Sequence, residues 1–289
     1  MAQKKTDDLT EDGVGTTGHE WDGIKELNNP LPRWWLWCFY LTIIWGVGYT
    51  IAYPAWPLVK GATAGVIGFS TRAQVAQDIA AVDERNAALT AQLASADLTA
   101  VPQDEALNRY AVAGGASVFK TYCSQCHGSG AAGAKGYPNL LDDDWLWGGG
   151  VEEIAYTIRH GIRNDFDPDA HWSQMPAYGE IFEPQEIAQT VQYVLALSGQ
   201  EHDAAKASLG AELFLEQCSA CHGENGMGDR LQGAPNLTDA IWLYGGDEAT
   251  LTETVTNARF GVMPPWSNRL SEAEVNAVAT YVHQLGGGE

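Results

Sequence analysis

Basic residues are scarce in this chain. Sixteen Lys and Arg face 37 Asp and Glu over 289 residues, a formal net charge of -21, and a field of that sign repels a phosphate backbone. Nucleic-acid binding is thereby excluded. Basic proteins remain as partners, unless the charge serves only to solvate the surface. Cysteine is sparse too. Four of the five cysteines fall in two short clusters, so the choice between a disulfide framework and a metal or cofactor site rests on their neighbours. Cys38 stands apart in an apolar run, where a small buried or lipid-facing thiol is expected. What is abundant is apolar matter, 45% of residues with 10% aromatic. That supports packed cores and excludes a disordered acidic tail.

Between Trp34 and Val59 no charged residue occurs. The stretch Trp34–Tyr53 holds 20 residues, which at roughly 1.5 Å per residue crosses a hydrocarbon core of roughly 30 Å. One transmembrane helix is expected, with Trp34, Trp35, Tyr53 and Trp56 as its interfacial belt and Pro54 and Pro57 at its end. Residues 1–33 are polar and acidic, without the basic start and small-residue cleavage site of a signal peptide, so the helix is expected to remain as an anchor. Its orientation cannot be read from flanking charge, because Lys25 and Arg33 are balanced by Lys60 and Arg72. Further on, Val75, Ile79, Val82, Leu89 and Leu93 recur at helical spacing, predicting an amphipathic helix over 73–94. It would lie on a partner or fold back on its own chain. Ser95 to Glu105 reads as a boundary.

An internal repeat dominates the rest. Gly115-Ala-Ser-Val-Phe-Lys-Thr-Tyr-Cys-Ser-Gln-Cys-His-Gly128 returns as Gly210-Ala-Glu-Leu-Phe-Leu-Glu-Gln-Cys-Ser-Ala-Cys-His-Gly223. Pro138-Asn139-Leu140 answers to Pro235-Asn236-Leu237, Trp145-Leu146-Trp147 to Trp242-Leu243-Tyr244, and Met175-Pro176 to Met263-Pro264. The expected organisation is all-α. Residues 1–33 form an N-terminal segment, 34–59 a transmembrane anchor, 60–108 a helical linker, and 109–200 and 201–289 two tandem domains, each closing on a helix (183–197 and 271–285).

Each repeat carries Cys-x-x-Cys-His, at Cys123, Cys126 and His127 and at Cys218, Cys221 and His222, the signature of covalent c-type haem attachment. Two thiols a helical turn apart meet the two vinyl groups on one porphyrin edge, and the adjoining histidine then lies beneath the iron. A zinc or thioredoxin-like site would explain the cysteines but neither the histidine nor the methionine that follows in both copies. Two covalently bound haem c groups are expected. Of the methionines after Met1, Met175 and Met263 precede proline and stand 48 and 41 residues beyond their histidines. That placement resembles the Met-Pro ligand loop of class I cytochromes c. The expected iron ligands are therefore His127 with Met175 and His222 with Met263, a closed pair that suits electron transfer rather than catalysis.

Met227 follows His222 too closely to reach the opposite haem face and is read as loop packing. His160 and His171 are alternative ligands without counterparts in the second repeat, and His19, His202 and His283 are expected at the surface. In the first copy Met175 stands 14 positions beyond Gly161, whereas in the second Met263 stands two beyond Gly261. The two sites therefore differ in surroundings, and so in potential.

The run from His19 to Trp35, His-Glu-Trp-Asp-Gly-Ile-Lys-Glu-Leu-Asn-Asn-Pro-Leu-Pro-Arg-Trp-Trp, lies directly ahead of one membrane helix and two such repeats. In that layout the chain resembles the dihaem CcoP/FixP subunits of cbb3-type cytochrome c oxidases. The resemblance implies two class I cytochrome c domains in tandem and attachment to the bacterial inner membrane by a single pass, with the haem domains in the periplasm. It also implies prolyl carbonyls at Pro138 and Pro235 that accept the ligand imidazole N–H. Arg159, Arg259, Trp145 and Trp242 are candidates to meet haem propionates, with core packing the equal alternative for the two tryptophans. Its implied partners are a catalytic haem–copper subunit, a mono-haem c-type subunit and a soluble cytochrome c donor. No histidine lies in the apolar run, so oxygen chemistry is expected to belong to a partner. A free-standing tethered dihaem carrier shares every haem feature but gives no reason for the pre-membrane motif. A dihaem peroxidase would need one releasable ligand, against which the matched methionines argue.

Overall fold

The structure, a computed structural model, describes residues 14–289; residues 1–13 of the expected N-terminal segment lie outside it. It divides into two units, Met1–Glu84 and Arg85–Glu289. In the first, β1 (Thr16–Trp21) and β2 (Ile24–Leu27) form an antiparallel hairpin. Asp22 and Gly23 both take positive φ at its tip (48° and 83°), the backbone that a two-residue Asp-Gly turn adopts to match strand twist. The all-α expectation missed this hairpin and a second small one, β3 (Pro57–Leu58) with β4 (Gly61–Ala62).

Helix α1 (Arg33–Ala52) has no buried residue. Being apolar on every side, it cannot be an amphipathic surface helix, and it is long and apolar enough to cross a membrane. It ends at Ala52, one residue before the expected Tyr53, because Pro54 stops it and the chain turns back. The amides of Val66 and Ile67 donate to the carbonyls of Ile51 and Ala52 (3.0 and 3.3 Å), satisfying the helix's last acceptors. Helix α2 (Thr71–Ala94) follows.

The second unit is a helical assembly whose core begins before the repeats. Leu93, Leu98 and Val101 are buried in it, and the buried Asn276 amide donates to the Leu93 carbonyl (3.0 Å), so the expected boundary segment is partly core. The first repeat supplies α3 (Glu105–Val118), α4 (Ser124–His127), α5 (Val151–His160) and α6 (Pro184–Leu197). The second supplies α7 (Ala204–Gln217), α8 (Ser219–His222), α9 (Glu248–Asn257) and α10 (Glu272–His283). Sequence sets the helix starts. Asp104 and Asp203 cap α3 and α7, Pro184 opens α6, and Ser271 with Glu274 forms a capping box on α10.

The packing does not follow the repeat boundaries. Helix α3 packs on α10, and α6 packs on α7. Repeat-equivalent residues mark both crossings: a Cβ on Gly115 would overlap the Ala277 carbonyl, and one on Gly210 the Gln189 carbonyl. Phe119 meets Tyr281 and Phe214 meets Tyr193, ring centroids 5.7 and 5.2 Å apart. Each half of the core thus joins the first three helices of one repeat to the last helix of the other. The cause is the short connector 198–203, which makes α6 and α7 a helical hairpin and so neighbours. Helix α3 is then left for α10.

Candidate functional site

Local helix geometry brings each Cys-x-x-Cys-His to a cavity. The motif is a single turn at the end of a longer helix, so both thiols and the imidazole face one side. One cavity, of about 210 Å³, is lined by Cys123, Cys126 and His127; the other, of about 550 Å³, by Cys218, Cys221 and His222. Both linings are mostly apolar.

The histidines are prepared as ligands. His127 Nδ1 lies 3.1 Å from the Pro138 carbonyl and His222 Nδ1 3.1 Å from that of Pro235. A carbonyl only accepts, so Nδ1 must carry the proton and Nε2 is left with a free lone pair. Burial lowers both imidazole pKa values, partly offset by these bonds, and keeps the rings neutral. The thiols behave differently. Burial pushes Cys123 and Cys218 up to about 11, so with no metal bound these two are thiols. A donor set of two thiols and one neutral imidazole on an apolar cavity fits haem c.

The methionines are exchanged relative to expectation. Met263 lines the cavity of His127, and Met175 that of His222. Each also packs against the matching core, Met263 against the one that Cys123 borders and Met175 against the one that contains Cys218. The exchange follows from the crossed helices, since each methionine travels with the closing helix of its repeat. Backbone bonds between Ile162 and Met263 (2.9 and 3.0 Å) fix the crossover on one side.

Other residues sort by position. Trp145 lines the first cavity and donates to the Gly287 carbonyl, Trp242 lines the second, and Arg259 reaches the second while its guanidinium stacks 4.7 Å over Tyr244. Arg159 lines neither cavity; it pairs with Glu272. His160 bonds Asp167 (3.0 Å), and His171 bonds Thr157 (3.1 Å) and stacks on Trp147; neither imidazole lines a cavity, although Thr157 and Trp147 themselves line the first. Met227 is 68% exposed rather than packed. His19 and His202 are exposed, and His283 is partly so.

The two cavities share a wall. Tyr137, Pro138, Asp144, Leu146, Arg163 and Leu243 line both. Leu146 and Leu243 are repeat equivalents, and the Gly136 amide donates to the Leu243 carbonyl (2.8 Å), stitching the two loops together. Sequence reasoning missed Arg163 and Asp144 as site residues. Their only signal was place: Arg163 sits in the unmatched insertion, and Asp144 beside the repeated Trp.

A helical core holding two such thiol–imidazole sites defines a c-type cytochrome. Comparison with known proteins narrows the class. Residues 13–60 match the N-terminal domain of cytochrome oxidase-cbb3, FixP, and residues 111–194 and 205–282 match the model for cytochrome c oxidase, cbb3-type, subunit III. Subunit CcoP of the cbb3-type cytochrome c oxidase of Cereibacter sphaeroides is 62% identical over 95% of both chains; that of Rhodobacter capsulatus is 54% identical over the full length of both. The FixP subunit of Azorhizobium caulinodans is 51% identical over 96% of this chain and 94% of its own. The chain belongs to the CcoP/FixP family of cbb3-type cytochrome c oxidase subunits.

Proposed function

We propose that this chain is the electron-transfer subunit of a cbb3-type oxidase, carrying two covalent haem c groups held across the repeats. His127 and Met263 ligate one iron, and His222 and Met175 the other. The observation that carries this reading is the presence of one methionine on each cavity whose imidazole Nε2 is freed by a prolyl carbonyl. Bound there, haem supplies a one-electron iron couple, and a His–Met ligand pair raises its potential and leaves no open position for a substrate. Cys123 with Cys126, and Cys218 with Cys221, would hold the two groups covalently through thioether bonds. The prolyl carbonyls hold the imidazole planes, and the apolar linings exclude water.

Helix α1 anchors the chain as a single pass in the bacterial inner membrane. The haem-binding unit lies in the periplasm and residues 1–33 on the cytoplasmic side. Its partners are the catalytic haem–copper subunit, a mono-haem c-type subunit and a soluble cytochrome c donor. A free-standing carrier would account for both cavities but not for the match over residues 13–60.

A pyridine haemochrome assay should give two haems per chain. In a chain reduced to its first haem by Cys218→Ala with Cys221→Ala, Met263→His should lower the midpoint potential while Met175→His leaves it in place. The reverse result would restore ligation within each repeat. Purification in mild detergent without other oxidase subunits would favour the free-standing carrier.

A further inference from the structure

The wall between the cavities holds a cation that no carboxylate bonds among the described residues, although the Asp144 carboxyl lines the same wall. Arg163 is half-buried and lines both cavities. Among the described residues no carboxylate pairs with it, whereas Arg159, Arg230 and Arg259 each have one. Its contacts are two backbone carbonyls. Nε donates to Gly261 (2.9 Å) and Nη1 to Ser173 (2.7 Å). Gly261 stands two residues before Met263 and Ser173 two before Met175, so one side chain is bonded to both methionine-bearing segments. Its backbone sits at φ 50°, left-handed for a non-glycine residue, a conformation that persists where the surroundings over-determine it.

A guanidinium has five N–H donors, and two carbonyls leave donors on Nη2 without a partner among the described residues. Buried cations of this kind are paired with an anion. The anions that the sites would supply, on the reading that both hold haem, are propionate carboxylates, and each electron that arrives on iron removes one unit of positive charge there. Tyr244, the polar group beside Arg163, cannot take that role, because burial raises its pKa and keeps it neutral.

We propose that Arg163 is a positioning residue shared by both haem sites, whose charge in their common wall raises the reduction potential of each. A positive charge in a poorly solvated wall favours the more negative state of whatever faces it, and here both redox centres do. The two potentials are therefore set partly by one side chain.

Redox titration of the full-length protein in detergent tests this, with the haemochrome yield of the unmutated chain establishing first that two haems are present. A yield below two would defeat the underlying reading rather than the role of Arg163. Arg163→Gln keeps an N–H donor for the carbonyls but removes the charge. Both midpoints should fall, reduction at each haem becoming about tenfold less favourable, or about 59 mV for a one-electron couple. Arg163→Lys should restore most of both, and the methionine–iron charge-transfer band should persist in each variant. Should the Gln variant not take up haem, Arg163→His carries the same test in one protein: both midpoints should drop together as the imidazole deprotonates, against the unmutated pH profile. Movement of only one midpoint, movement of neither, an equal fall in the Lys variant, or loss of the methionine band would each overturn the proposal.

Discussion

Asp144 shows how the shared wall acts on a single residue. It is half-buried with Asp142 and Asp239 nearby, and burial first, then those carboxylates, push its pKa from 3.8 up to about 6, with Arg230 offsetting part. The folded state therefore binds this proton more tightly than the unfolded chain does. Its contribution to stability is complete below about pH 4 and is lost as pH rises through about 6. Replacing Asp144 with Asn should stabilise the folded protein at pH 8 by about 1–2 kcal/mol after allowance for partial solvation, seen as a higher thermal midpoint, and give no gain at pH 4; a gain independent of pH would show that packing, not ionisation, was changed. At this scale the sequence was legible wherever chemistry is local. Cys-x-x-Cys-His needs one helical turn, and the prolyl carbonyls sit at matched distances in both copies. Arg163 and Asp144 were not legible, because their roles depend on which loops meet.

The helices were read well from periodicity and punctuation, since Pro184 and Ser271 start α6 and α10 where the pattern placed them. The β1–β2 hairpin was missed although its Asp22-Gly23 turn was in view; the strands around it lack the alternating apolar pattern that would have flagged them. The glycine pair Gly115 and Gly210 was seen as repeat similarity, while its purpose is close approach. Each permits a helix backbone to touch the one it crosses, so a methyl group at either must push carbonyl oxygens away. Gly210→Ala should destabilise the folded protein by about 1–3 kcal/mol, the usual cost of overpacking. It should do so even though Ala is the better helix former. Chemical denaturation measures this directly, and a stabilised Gly210→Ala protein would mean the α6–α7 crossing is looser than the structure has it.

At the scale of the whole molecule, charge and connectivity each lead to a test. Residues 114–289 carry 24 acidic and 8 basic side chains, and Asp143, Glu152, Glu153, Asp165 and Asp169 are exposed. Such a surface steers a basic donor. Reduction by a basic cytochrome c should slow steeply with salt, and neutralising Asp142 and Asp143 should flatten the slope; a salt-independent rate would leave the charge as solvation. The exchange of closing helices could not be read from the repeat, because self-contained and crossed halves bury the same residues in the same pattern. What decides between them is the length of the connector at 198–203, which holds α6 against α7 and sends α10 to α3. The consequence is cooperativity. With α3, α4 and α5 completed by α10, and α7, α8 and α9 by α6, neither half can unfold while the other keeps its closing helix and its methionine. Thermal unfolding followed separately at the two haems should give coincident transitions, and Gly115→Ala, which touches only the α3–α10 crossing, should lower both midpoints together. Two separated transitions, or a mutation that shifts one haem and spares the other, would mean that the halves fold independently despite sharing their helices.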